Sequence, residues 1–304
     1  LTALLNLVPA LDDRLTRDTP LARFTAARLG GPADWLYIAR SDPDELVAVV
    51  RAAWTDGLPV RVIGGGANVL VSDAGFRGLI VVNKIARIES AGEGLLRVSA
   101  GTPLTHLSRE CAARGLRGFE WAVAVPGTIG GAVINNAGAH GGAMNDTVVE
   151  ASVVEPEAEK LWTHADLAYD YRHSALKARA DRRYLVTSAL LCFKPDDPTA
   201  INARMEEYNA YRKRTQPPGA SLGSVFKNPP GDHAGRLIEA AGLKGYRIGS
   251  AQVSPVHANF FLNESGAANA SDYYALVRHV QQTVAAQSGV TLEPEIEFVG
   301  EFSP

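Results

Sequence analysis

The chain has 304 residues, 46% hydrophobic and 21% charged, with 30 Lys plus Arg against 33 Asp plus Glu and a formal charge of −3. That balance belongs to a globular chain long enough for two or three domains of ~100–150 residues. Without clustered Lys and Arg it offers no footing for nucleic acid or an anionic membrane surface, and no apolar run reaches the ~18 residues that span a bilayer.

The opening stretch LTALLNLVPALDDR lacks the basic start and long apolar run of a secretory signal. Ala33–Ala39 mixes aromatic and β-branched residues and reads as a strand. A helix follows with both ends marked: Asp42 and Glu45 have capping-box spacing, Pro43 suits the first turn, and Gly57 suits the left-handed end. Leu46, Val49, Val50 and Ala53 recur at helical spacing. Pro59–Ile63 is the next strand and completes a β-α-β unit. Leu79–Val82 and Leu95–Ala100 read as strands, and Thr102 is placed to cap a helix from Pro103 that stops at Gly115. A nearly uncharged Gly- and Asn-rich stretch covers Ala124–Gly142. Thr147–Phe193 resumes short strands, Ile201–Arg214 reads as a helix, and Gln216–Pro230 as a second low-charge loop. Ala234–Ala241 and Ser271–Gln287 read as helices, Asn259–Asn263 and Leu292–Val299 as strands. The order is α+β with mixed sheets, not a regular βα alternation.

Two cysteines, Cys111 and Cys192, are too few for a disulfide scaffold or a cysteine zinc site and fit a reducing cytoplasm. The histidines show no metal-ligand spacing, so no metal is expected. Gly64-Gly65-Gly66-Ala67-Asn68 follows a strand but runs into Val69–Asp73, which looks extended. A dinucleotide fingerprint would open a helix there, so that reading fails. The glycines still let backbone N–H groups approach a phosphate, and a tight inter-strand turn is the competing reading. A second glycine cluster runs Pro126-Gly127-Thr128-Ile129-Gly130-Gly131-Ala132, followed by Asn135-Asn136-Ala137-Gly138-Ala139. Two such nests point to a large phosphate-bearing cofactor without naming one.

An ordered set of segments carries a resemblance: Leu29–Asp34 (LGGPAD), Gly64–Asn68 (GGGAN) with Val71–Asp73 (VSD), Ala124–Gly131 (AVPGTIGG) and Asn135–Ala139 (NNAGA). Tyr171–Ser174 (YRHS), Gly223–Pro229 (GSVFKNP), Gly249–Ser254 (GSAQVS), His257–Asn259 (HAN) and Leu292–Glu297 (LEPEIE) follow. Together they make the chain resemble the UDP-N-acetylenolpyruvoylglucosamine reductases (UDP-N-acetylmuramate dehydrogenases), flavoenzymes of peptidoglycan precursor synthesis. The resemblance runs from about Thr19 to Gly300 and implies the FAD-binding fold of the vanillyl-alcohol-oxidase class with a C-terminal α+β substrate domain. It divides the chain into an N-terminal FAD-binding part (1–82), a central FAD-binding part (83–214 with 289–304) and a substrate part (215–288). The short span from Tyr171 to Gly223 resembles the type II branch, which lacks an inserted tyrosine loop.

The same resemblance implies noncovalent FAD held by Gly64, Gly65, Gly66, Ala67, Asn68, Ser72, Pro126, Gly127, Thr128, Gly130, Gly131, Asn135, Gly138 and Ala139. His140 sits where some members of the wider class attach flavin covalently; no such bond is expected here. NADPH and a UDP-sugar would be the small-molecule partners of a monomer. In the implied reaction, hydride reaches the terminal carbon of an enolpyruvyl ether and charge moves onto the adjacent carboxylate. Arg172 would supply a planar donor fork for that charge; on sequence alone a surface ion pair or a packed stem is the commoner reading of such an arginine, and the match of Tyr171–Ser174 to the family is what singles it out. Glu295 would donate as a neutral carboxyl; the competing reading puts Glu293, Glu295 and Glu297 along a solvated edge. Ser224 would give the proton to carbon, with Ser221 competing in the alignment because Ser221-Leu222 replaces the more usual small residues ahead of Gly223. Lys227 and Asn228 suit the diphosphate and sugar, and Tyr171, Arg214, Gln252, Ser254, His257 and Asn259 fill out the expected substrate pocket. A related FAD oxidase and a noncatalytic flavin-binding protein are the alternatives; the Gly223–Pro229 and Leu292–Glu297 segments speak against the first, and Arg172, Ser224 and Glu295 together against the second.

Overall fold

The helix anticipated after Asp42 forms as Pro43–Thr55, and the Asp42 side chain accepts from the N–H groups of Asp44 and Glu45. Glu45 does not return the favour to Asp42, since its carboxylate takes the Tyr37 hydroxyl at 2.5 Å and an ion pair with Arg14. Leu46, Val49, Val50 and Ala53 are buried in a core with Trp35, Tyr37, Leu79 and Val81, each larger aliphatic worth about 1.5–3 kcal/mol of transfer. The computed structural model that shows this describes residues 2–264 and 266–302.

Contacts gather the chain into two units, each discontinuous. Leu1–Thr16, Trp35–Gly65 and Gly78–Arg212 make the first; Arg17–Asp34, Gly66–Arg77 and Lys213–Pro304 make the second. In the first, Val60–Ile63 runs parallel to Leu79–Val82, and the strand Phe76–Asn83 separates it from Pro32–Ala39. The β-α-β strands are therefore not neighbours. A five-stranded antiparallel sheet follows, ordered Glu159–Thr163, Val148–Val154, Leu185–Cys192, Leu95–Ser99, Ile88–Gly92. Leu96, Val98, Ala151 and Ala189 from it share a core with Leu107, Phe119, Trp121 and Val133.

Two local expectations change here. The helix Leu104–Ala113 begins after Pro103, not on a Thr102 cap; Thr102 is fully buried and its carbonyl accepts from the Ile129 N–H at 3.0 Å. The Ala124–Gly142 stretch holds a helix, Ile129–Asn135. Its glycines hide the helical pattern because one of them is a contact: a Cβ on Gly130 would lie 3.0 Å from the Ala100 Cβ, and the Gly130 N–H donates to the Ala100 carbonyl at 2.8 Å.

In the second unit, Tyr273, Leu276, Val277, Val280 and Val284 of the helix Ala270–Ser288 share a core with Phe226, Phe261 and Ile238. The sheet is antiparallel, ordered Ala220–Ser224, Phe260–Asn263, Ala251–Val253, Arg247–Ile248, so Gln216–Pro230 contains a strand as well as loop. Of the expected strand Leu292–Val299 only Glu297–Val299 forms, parallel to Val69–Val71. The residues before it lie along Val225–Lys227: the Lys227 N–H donates to the Glu293 carbonyl at 2.9 Å and the Glu295 N–H to the Val225 carbonyl at 2.8 Å. Leu292 and Ile296 enter the same core. Backbone pairing and the buried pair of side chains tie this terminal segment to the second unit. Among the described residues no helix is long and apolar enough to cross a membrane.

Candidate functional site

The loop Gly64–Asn68 opens no helix and passes into the strand Val69–Val71, as its context required. Within the first unit its leading glycines, Gly64 and Gly65, abut the second glycine cluster so closely that side chains are excluded. A Cβ on Gly64 would sit 2.0 Å from the Thr128 Oγ1, and one on Gly65 3.0 Å from the Gly127 Cα. Gly66 has φ of +60°, and a Cβ there would lie 2.0 Å from the Phe24 carbonyl oxygen. Among the described residues the N–H groups of Gly65, Gly66 and Ala67 meet no protein acceptor. Gly131 differs: a Cβ on it would meet nothing within 4 Å. In the first unit, the unused Gly65 donor beside positions that exclude a Cβ, with open space at the helix that follows Thr128, fits a diphosphate and flat rings such as those of FAD.

Other members of the expected cofactor set carry structural tasks. The Ser72 hydroxyl donates to the Gly75 carbonyl at 2.9 Å and is buried. The Asn68 amide donates to the Glu295 carbonyl at 3.1 Å. Asn135 bonds back to the Gly131 carbonyl at 3.0 Å, leaving its Oδ1 buried without a partner. Pro126 and Thr128 lead into the helix Ile129–Asn135, and Gly138–Ala139 pair with Gly142–Ala143 as a hairpin.

Arg172 has φ of +54°, a left-handed conformation that costs a non-glycine residue about 1–2 kcal/mol. Its Nη2 donates to the Gly138 carbonyl at 2.7 Å and its Nη1 to that of Asn136 at 3.4 Å. Tyr171, 51% exposed, has the guanidinium 5.6 Å from its ring centroid. Asn136 escaped the sequence reading as a working residue, yet it organises this corner. It is left-handed itself at φ of +44°, donates to the Asp170 carbonyl and accepts from the Asn145 N–H. An asparagine just past a helix is the signal that could have found it.

In the second unit Ser224 ends the strand Ala220–Ser224, one register shift beyond Ser221. Gly223, at φ of +74°, makes the irregularity. Lys227 pairs with Glu293 at 2.5 Å. Asn228 accepts from the Ala234 N–H at 3.1 Å and so caps the helix Ala234–Ala240. Asn259 is buried and grips both backbone groups of Phe226, at 2.9 and 2.8 Å. Ser254 is fully buried and accepts from the Val256 and His257 N–H groups. Gln252 donates to the Gly245 carbonyl and accepts from Arg247. His257 accepts from the Asn259 N–H at 3.2 Å, and burial holds its pKa below the ordinary histidine value. Glu295 is half-buried and Glu293 exposed, so the three acids do not share one solvated edge. Arg214 is exposed on its helix, whereas Arg212 is half-buried beside His140.

Burial pushes the Cys111 thiol up to about 12, which leaves it un-ionised and inert. Among the described residues no group of three or more His, Cys, Asp or Glu is arranged to hold a metal ion.

Comparison with known proteins agrees with the fold. Residues 36–164 match the model of an FAD binding domain, and residues 214–299 that of the UDP-N-acetylenolpyruvoylglucosamine reductase C-terminal domain. The chain is 42% identical to the UDP-N-acetylenolpyruvoylglucosamine reductase of Synechococcus sp. (strain RCC307), over 97% of each chain. It is 43% identical to that of Chloroflexus aggregans, over 94% of this chain and 97% of the relative. The crystal structure of the Thermus caldophilus reductase superposes with a TM-score of 0.81 at 35% identity, covering 94% of this chain and 99% of that one.

Proposed function

The chain belongs to the UDP-N-acetylenolpyruvoylglucosamine reductase family, and from that premise we propose that it reduces UDP-N-acetylglucosamine enolpyruvate to UDP-N-acetylmuramate, with FAD bound and NADPH as electron source. It is an FAD-dependent oxidoreductase. The observation that carries the finer reading is Arg172: a charged residue in strained left-handed backbone, its guanidinium anchored on the Gly138 carbonyl of the glycine hairpin. Strain of that kind persists where the surroundings enforce it, and it concentrates at working sites.

Bound FAD, once reduced by NADPH, would supply the hydride. The residues manage what the substrate does next. Addition to the terminal alkene carbon places negative charge on the carbon next to the carboxylate and, by delocalisation, on the carboxylate oxygens. Arg172 offers those oxygens a planar fork that stays charged at any working pH. Glu295, in its neutral form, donates a hydrogen bond to the same oxygens. Its backbone N–H bond to the Val225 carbonyl fixes where the side chain starts. Ser224 delivers the proton to carbon; the irregularity at Gly223 turns it out of the regular register that Ser221 keeps. Lys227 exchanges its Glu293 partner, 69% exposed and cheap to release, for the substrate diphosphate. The NADPH half-reaction needs no proton from Ser224. In anaerobic stopped-flow, Ser224→Ala is expected to keep flavin bleaching by NADPH and to lose about 100-fold or more in the return of the yellow colour on adding enolpyruvyl substrate. Slow bleaching by NADPH in that variant would take the proton-donor role away from Ser224. Wild-type enzyme that bleaches but is not reoxidised by the substrate would end the reductase assignment.

A further inference from the structure

The hairpin Gly138–Ala143 turns on His140 and Gly141, both with positive φ, +54° and +82°. A two-residue turn with both central residues left-handed favours Asn-Gly or Asp-Gly. Histidine is a strained choice there, and its ring shows what it gains. It stacks on Tyr208 of the helix Pro198–Thr215, with centroids 4.4 Å apart and planes 7° from parallel. Tyr211, one turn along, meets the ring edge-on at 5.5 Å. The other side of the hairpin is equally tight, since a Cβ on Gly142 would lie 2.5 Å from the Trp121 ring.

Burial, then the charge of Arg212, hold the His140 pKa down against the opposing pull of Glu207. Its Nε2 is buried without a partner among the described residues. The ring therefore serves as a flat neutral surface. Two residues before it, the Gly138 carbonyl accepts from Arg172 at 2.7 Å.

We propose that His140 is a positioning residue for Arg172: its stack on Tyr208 fixes the hairpin tip, and with it the Gly138 carbonyl that aims the guanidinium. The proposal rests on the assignment of Arg172 to the substrate carboxylate. A small displacement of a group that acts in the transition state costs rate far more than it costs fold. The loss should fall on the substrate half-reaction alone.

The test compares His140→Asn with Tyr208→Leu and Tyr208→Phe in the holoenzyme. Asparagine suits φ of +54° better than histidine, so a mere turn-forming role predicts an equal or more stable enzyme with unchanged kinetics. The positioning role predicts that His140→Asn and Tyr208→Leu each slow substrate-dependent flavin reoxidation by ~10-fold or more. NADPH bleaching should be unchanged, and Tyr208→Phe, which keeps the ring, should remain near wild type. Reoxidation at the wild-type rate in both His140→Asn and Tyr208→Leu would overturn the proposal, whatever their thermal stability. Arg172→Lys separates the two layers. If it is slow and His140→Asn slows it no further, the two residues act as one unit. If it is slow and the losses multiply, His140 acts by another route and this proposal falls alone. If Arg172→Lys turns over normally, the assignment of Arg172 falls first.

Discussion

The glycine-rich loops and the polar loops around Gly223–Asn259 use opposite materials. Around Gly64–Gly66 and Gly127–Gly142 the backbone provides the donors, and side chains are missing because there is no room for them: Thr128, Gly127 and Trp121 stand where Cβ atoms would be. Around Gly223–Asn259 side chains are plentiful, but most already serve the backbone. Asn259 holds Phe226, Ser254 holds the turn into His257, Asn228 caps a helix and Gln252 binds Gly245. A polar residue in a family motif is thus not automatically a ligand. In the first region a test adds an atom; in the second it removes a hydrogen bond.

Adding the atom at Gly66 should have the largest effect. Alanine there meets the Phe24 carbonyl at 2.0 Å from a residue at φ of +60°, and backbone can yield only by moving the loop. A loss of about 3–5 kcal/mol in urea unfolding is expected. An alanine variant as stable as wild type would mean that the glycine is kept for cofactor access and not for packing.

Removing the amide at Asn259 comes next. Two buried backbone groups of Phe226 would lose their partners, at about 1–3 kcal/mol for each group left unsatisfied. Asn259→Ala should lower the unfolding free energy by ~2–4 kcal/mol. Unchanged stability together with a raised KM for the enolpyruvyl substrate would return the residue to the binding pocket and blur the contrast between the two regions.

Local signals carried much of the fold. The Asp42 cap, the extended run after Gly64–Asn68 and the long apolar face of Ala270–Ser288 could all be read from neighbours in sequence. What escaped depends on distant partners. The helix Ile129–Asn135 is masked by glycines whose reason lies at Ala100. The terminal acids looked like one strand face until pairing with Val225 and Lys227 bent them into different surroundings. Segments 17–34 and 66–77 join the unit that holds 213–304, which no composition shift announces. For the site, the motif order gave the residue types and their sequence, while the burial of Ser254 and Asn259 and the ring beneath His140 required the folded chain.

Gly131→Ala should have the smallest effect on fold and is the most informative about the ligand. The position is helical and a Cβ meets nothing within 4 Å, so alanine should leave stability unchanged or raise it by about 0.5–1 kcal/mol through helix propensity. Stability alone therefore gives no reason for glycine here. The helix that carries it starts just after Thr128, the residue that a Cβ on Gly64 would meet. If flavin occupies the space the methyl group would enter, the variant should bind FAD about tenfold more weakly, which is ~1.4 kcal/mol, read from flavin released when the holoenzyme is diluted. A variant that is more stable and holds FAD as tightly as wild type would leave the glycine without a role at this face, and the flavin would have to lie against the Gly64–Ala67 side of the nest alone.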